Sequence, residues 1–129
     1  MVATCLLDSG IIMDILNGKR GRRERIDQLI EDGADMACCS IQVTEVYAGL
    51  RPGGEARTER VLRSLKFYPV TWEIGKQAGD LFNVWRQQHG TLSLPDPTIA
   101  AIALANDLVL VTGNPKDFPM PELRLYTLP

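Results

Sequence analysis

The stretch Val2-Ala3-Thr4-Cys5-Leu6-Leu7-Asp8-Ser9-Gly10 is a mostly apolar run that stops at an acid and a turn. Val2 to Leu7 reads as a buried strand, because no polar residue recurs at every second position to mark a wet face. Ile11 to Leu16 then reads as a short helix closed by Asn17-Gly18. The same handover recurs down the chain. Met36–Cys39, Phe67–Val70, Leu108–Thr112 and Leu123–Leu128 read as further strands.

Helical patterns lie between them. Ile26, Leu29 and Ile30 recur at helical spacing before Gly33. Ser40 reads as the N-cap of a helix whose stripe is Val43, Val46, Tyr47 and Leu50, with Glu45 off that stripe. Arg51-Pro52-Gly53-Gly54 breaks the chain. Glu55 to Lys66 follows as a helix burying Ala56, Val61, Leu62 and Leu65. Thr71 caps a long helix with core residues Ile74, Ala78, Leu81, Phe82 and Trp85, ended by Gly90. Asp96-Pro97 reads as N-cap and first helical residue, and Ile99–Ala105 is apolar nearly all round, so it belongs at the centre. Strands alternating with helices predict an α/β fold with a central, mostly parallel sheet flanked by helices. One domain, residues 1–129, accommodates this.

Composition narrows the functional classes. With 45% hydrophobic residues, the chain can build a core without staples. A net charge of −2 gives no global attraction to nucleic acid, so any such contact must be local. Cys5, Cys38 and Cys39 are odd in number and lack a CxxC spacing, and His89 is the single histidine. That disfavours a zinc site or a disulfide framework and suits a reducing compartment. No signal peptide is visible, and no apolar run approaches the ~20 residues of a membrane span. A soluble, cytoplasmic protein is the expectation.

The chemistry-bearing residues are acids that recur where strands stop and helices start. Asp8 follows the first strand, and Glu45 and Asp96 sit in the opening turns of helices. Thr112, Asn114 and Asp117 follow the fourth strand. In open α/β sheets, ligands bind beyond the carboxyl ends of the strands. Carboxylates gathered there repel one another unless a cation offsets the charge. Oxygen-only donors of this kind suit Mg²⁺, and the chemistry indicated is metal-assisted phosphodiester hydrolysis.

The pattern Leu6-Leu7-Asp8-Ser9 with Asp14-Ile15-Leu16, Ser40-Ile41 with Glu45 and Gly49-Leu50, Asp96 with Ile99-Ala100-Ala101 and Ala103, and Leu110-Val111-Thr112 with Asn114 and Asp117-Phe118 spans nearly the whole chain. It resembles the PIN-domain ribonucleases of the VapC toxin type. The resemblance implies a three-layer PIN-like fold and endoribonuclease activity with Mg²⁺ or Mn²⁺. It also implies a homodimer held inactive by a VapB-type antitoxin. By the same resemblance Asp8 and Asp96 are the metal ligands, Glu45 completes the acidic triad, and Ser9 and Thr112 support the site through their hydroxyls. Asp117 or Asn114 takes the fourth position, with Asp117 favoured for its charge. Asp14 also recurs in relatives, and its role, at the site or only structural, is left open. Pro97 and Pro115 depart from the family pattern without removing an acid.

The basic run Lys19, Arg20, Arg22, Arg23 and Arg25, and a second set, Arg51, Arg57, Arg60 and Arg63, are candidates for RNA phosphates or for antitoxin side chains. From this group Arg22, Arg23, Arg51, Arg57 and Arg60 are taken forward as contact residues. Trp85 falls on a core stripe, whereas Trp72 at a helix start is open to base stacking. His89 reads as a surface residue at a helix end. Two other readings remain: a PIN domain acting only as a protein-binding module, and a Mg²⁺-binding signalling receiver. The receiver would want an adjacent acidic pair where this chain has Asp8-Ser9.

Overall fold

The computed structural model describes residues 3–88, 90 and 92–129, so Val2 and His89 lie outside the described residues. Five strands form one sheet: β1 (Thr4–Leu7), β2 (Asp35–Cys38), β3 (Lys66–Phe67), β4 (Val109–Thr112) and β5 (Arg124–Thr127). The helices are α1 (Ser9–Asn17), α2 (Arg22–Glu31), α3 (Ser40–Ala48), α4 (Glu55–Ser64), α5 (Trp72–Trp85) and α6 (Pro95–Ala105). A 3₁₀ turn spans Pro115–Asp117.

The strand order is β3-β2-β1-β4-β5, and every pairing is parallel. In β1, Leu6 pairs with Ala37 on one side and Leu110 on the other. The strands explain why the sequence shows no wet face. Leu6, Ala37 and Leu110 point into one core layer, packed against Ile74 and Ala78 of α5 and Ile99–Ala103 of α6. Their neighbours Cys5, Leu7, Met36, Cys38, Val109 and Val111 point into the other, with Ile11 and Ile12 of α1, Ile26 of α2 and Leu62 of α4. Side chains alternate between faces, and helices cover both, so Cys5–Leu7 of β1 and Val109–Val111 of β4 are apolar on both faces. Residues 99–103 are at most 1% exposed. Burying Ile99 or Ile102 in this way contributes roughly 1.5–3 kcal/mol. Ala100, Ala101 and Ala103 keep α6 thin where it packs in one cluster with the sheet and α5.

Several element ends differ from the sequence expectation. Ser40 does not cap α3; Cys39 does, with Gln42 folding back to it. Asp96 does not cap α6 either; the N-cap is Leu94, Pro95 opens the helix, and Asp96 is its second residue. The extra proline explains the shift, since Pro95 is also suited to the first helical position. Strand β3 covers only Lys66–Phe67, because Pro69 lacks the N–H a continued ladder needs. In α4 the buried residues are Thr58 and Leu62, and Ala56 is exposed. Helix α5 stops at Trp85, ahead of Gly90.

The chain runs from β1 outward through β2 to β3, then crosses back to β4 on the opposite side of β1. The order therefore reverses between β1 and β4. That reversal opens a crevice at the carboxyl ends of the two strands, which is where such folds bind ligands. Asp8 directly follows β1 as the N-cap of α1, and Thr112 ends β4.

Candidate metal centre at the carboxyl edge of the sheet

Asp8 is held from three sides. Its backbone N–H donates to the Val111 carbonyl at 2.9 Å, which fastens the residue to β4. One carboxylate oxygen accepts the Ser9 N–H at 2.9 Å, and the other accepts the Thr112 hydroxyl at 2.8 Å. Thr112, fully buried, in turn accepts the Asn114 N–H at 3.0 Å on the same hydroxyl oxygen. Ser9 thus serves the site through its backbone N–H rather than the hydroxyl expected from the sequence. Burial pushes the Asp8 carboxyl up; the bonds from Thr112 and Ser9 oppose this, and the charge of Asp117 adds to it.

Gln42 contributes a contact that sequence reading missed. The residue is fully buried. Its Nε2 donates to the Leu7 carbonyl at 3.0 Å, one residue before Asp8. Its Oε1 accepts the Cys39 N–H at 3.0 Å. The first turn of α3, which presents Glu45 one turn later, is thereby tied to the end of β1. An amide flanked by the apolar Ile41 and Val43 was the available signal, since a buried amide must find partners.

Asp96 stands in the least comfortable position. Its carboxyl is pushed up to about 6, first by burial, then by the charges of Asp117 and Asp8, and last by Glu45. Among the described residues, only the Ser93 hydroxyl, donating at 3.3 Å, works in the opposite direction. Asp117 closes the 3₁₀ turn after β4, and its N–H donates to the Asn114 carbonyl at 3.0 Å. Its charge bears on both Asp8 and Asp96, whereas Asn114 is exposed and adds none. The structure therefore brings Asp8, Glu45, Asp96 and Asp117 into one electrostatic neighbourhood.

Among the described residues, no three His, Cys, Asp or Glu side chains form a group that could hold a metal ion. A magnesium ion does not ask for one. It keeps several waters and takes one or two carboxylates directly. The donor set here is carboxylate and hydroxyl oxygen, with the three cysteines buried and free in the core. That chemistry fits Mg²⁺ or Mn²⁺ and is poorly suited to softer metals.

The arginines divide. Arg22 is not a surface contact, as the sequence suggested, but is 7% exposed. It lies 3.5 Å from Asp14 and donates to the Pro129 carbonyl at 3.0 Å. A Cβ on Gly113 would stand 2.7 Å from a guanidinium nitrogen tied on both sides, so glycine is required there. Asp14, itself buried, holds Arg20 at 3.0 Å as well, which makes it structural. Arg23, Arg57 and Arg60 border a separate cavity of about 570 Å³ with an apolar floor that includes Ile12, Ile26 and Val61. Arg51 is exposed beside a smaller crevice. Trp85 packs against the core and Trp72 is 76% exposed, as their positions in the pattern suggest.

Comparison with known proteins agrees with this fold. The PIN domain family matches residues 5–119. Ribonuclease VapC10 of Mycobacterium tuberculosis is 32% identical over 117 residues, covering 91% of this chain and 87% of that protein. Ribonuclease VapC19 of the same organism is 31% identical over 120 residues, covering 92% and 96%. Among solved structures, a toxin-antitoxin complex from Klebsiella pneumoniae is similar at a TM-score of 0.76 and 29% identity, covering 95% of this chain and 96% of that one. VapBC2 from Rickettsia felis, bound to a DNA fragment from its promoter, shares the fold at a TM-score of 0.83 and 22% identity, covering 98% and 99%.

Proposed function

We propose that this chain, which belongs to the PIN domain family and to its VapC branch, is a divalent-metal-dependent endoribonuclease. In this reading it is the toxin of a VapBC pair, held inactive by a VapB-type antitoxin. The observation that carries the catalytic part is the position of Asp96. A carboxyl raised to about 6 by burial and by neighbouring carboxylates is a group that a cation would relieve.

Asp8 and Asp96 are the proposed ligands. When bound, Mg²⁺ or Mn²⁺ supplies charge for the phosphoryl oxygens and lowers the pKa of the attacking water. Asp8 needs no rearrangement to serve, because Thr112 and Ser9 already orient its two oxygens. Glu45 and Asp117 orient the attacking water and take its proton; as the new P–O bond forms, the P–O bond to the leaving nucleotide breaks, and that oxygen takes up a proton from solvent. Thr112 keeps the β4 end registered to β1 through the same hydroxyl that holds Asn114.

The antitoxin is proposed to lie in the cavity bordered by Arg23, Arg57 and Arg60, which suits an amphipathic segment with acidic side chains. The exposed apolar residues Tyr47 and Phe67 support a homodimer. Sedimentation at micromolar concentration tests it, and a monomer would remove the dimer while leaving the nuclease intact. Among the described residues no helix is long and apolar enough to cross a membrane, in keeping with action in the cytoplasm. The deciding experiment is incubation of the purified chain with a mixed RNA pool. Cleavage should require Mg²⁺ or Mn²⁺ and stop with chelator. Cleavage that persists in chelator would refute the metal assignment, and none under any metal would refute the enzyme.

A further inference from the structure

Beside the acids, on the α1–α2 side of Asp8, lies a second cleft of about 380 Å³. Its lining includes Asp8, Gly113 and Asn114 from the site, and Asp14, Arg20 and Arg22 from the α1–α2 corner. Asp8 is therefore common to the acidic cluster and to this cleft. The corner has an unusual backbone. Gly18, Arg20 and Gly21 all adopt positive φ, of 64°, 58° and 62°. For the two glycines this costs little, but for an arginine it is a strained choice that the surroundings must impose. The result sets Arg20 against the buried carboxylate of Asp14 at 3.0 Å, while its side chain stays 65% exposed.

Charge accounting separates Arg20 from its neighbour. Arg22 is buried and committed to Asp14 and to the Pro129 carbonyl. Asp14 meets both cations and Asp8 lines the same cleft, so two arginines face two carboxylates, and the cation turned to solvent is the guanidinium of Arg20. One of the five N–H donors of Arg20 is engaged by Asp14. A polyanion approaching several carboxylates needs a cation close by, and a guanidinium matches phosphate oxygens in geometry and charge.

We propose that Arg20 is a phosphate-binding residue for the RNA strand, gripping the backbone beside the acidic site, with Asp14 and Arg22 as its positioning residues. This rests on the ribonuclease reading and assigns the arginines bordering the larger apolar cavity to a different partner. The strained backbone fixes where the cation stands, so the contact is built into the turn between α1 and α2.

The test measures binding of a mixed-sequence single-stranded RNA across a salt series, using full-length protein with Asp96→Asn so that the strand survives. Arg20→Ala should weaken binding roughly tenfold, as for loss of a charge-assisted hydrogen bond. It should also reduce the slope of log affinity against log salt by about 0.7, the value for one phosphate on a single strand. Arg20→Lys should keep the slope. Arg20→Gly, which suits the positive φ, should bind as weakly as Arg20→Ala while melting no lower. Lys76→Ala deletes another exposed, paired cation and should change neither quantity. An unchanged slope in Arg20→Ala, or an equal loss in Arg20→Lys, would overturn the proposal alone. Absence of RNA binding by the Arg20-intact protein would overturn it together with the ribonuclease reading.

Discussion

Asp8 and Asp96 face the same space but are prepared for it in opposite ways. Asp8 accepts two hydrogen bonds at 2.8 and 2.9 Å, one from a fully buried threonine, and its backbone is fastened to β4. Asp96 accepts one bond of 3.3 Å from Ser93 and otherwise meets burial and negative charge. The first is a geometric anchor and the second an electrostatic reservoir. The protein spends stability at Asp96 that a bound cation would return, while Asp8 keeps that return directed to one place.

The sharpest way to break this contrast is to remove charge without removing shape. Asp96→Asn should abolish RNA cleavage by orders of magnitude, because the charge that retains the metal is gone. Without metal, its stability should stay the same or rise. Asp96→Ala should be as stable as Asp96→Asn to within about 0.5 kcal/mol, since Leu94 rather than Asp96 caps the helix. A larger loss in the alanine variant, read from denaturant midpoints, would give Asp96 a structural role the contrast denies it.

Metal binding sharpens the same comparison. At a hundred times its dissociation constant, Mg²⁺ should stabilise the fold by about 2.7 kcal/mol, an increase in Tm on the order of 10 °C. Asp96→Asn should lose most of that increase. A thermal scan of the parent that ignores Mg²⁺ would argue against the site.

Gln42 tests the anchor. Gln42→Leu leaves the Leu7 carbonyl and the Cys39 N–H without their partner and should cost about 1–3 kcal/mol. Cleavage should fall further than stability explains, because the Asp8 and Glu45 elements lose their tie. Activity scaling only with the folded fraction would make Gln42 a packing residue and nothing more.

The smallest expected effect is a pH dependence. Asp96 is raised from an ordinary value of 3.8 to about 6. Between those values the folded state binds more protons than the unfolded state, so stability falls as pH rises through that window. Discounted for exposure, the change should be on the order of 1 kcal/mol. Urea titrations at pH 4 and pH 7 would measure it, and it should shrink in Asp96→Asn to the part that the raised Asp8 carboxyl contributes, and shrink with Mg²⁺.

The sequence by itself determined the alternating α/β architecture, the parallel sheet and the acids at its carboxyl edge. Those follow from patterns a few residues long: unbroken apolar strands, helical stripes, and acids placed where runs stop. It also determined that α6 is central, because no polar face interrupts residues 99–105. Only the tertiary structure decided the rest. Whether Asp96 caps α6 depended on which of two prolines opened the helix, and local propensity favours both. Arg22 looked like its basic neighbours until packing against Gly113 and the chain end buried it. Gln42 and Arg20 drew their importance from partners on other elements, a carbonyl of β1 and a carboxylate of α1. Periodicity reports which face a residue occupies, but a hydrogen bond or a pKa depends on what stands opposite. That is a property of the assembled fold, because the groups concerned lie as far apart in sequence as Asp8 and Thr112.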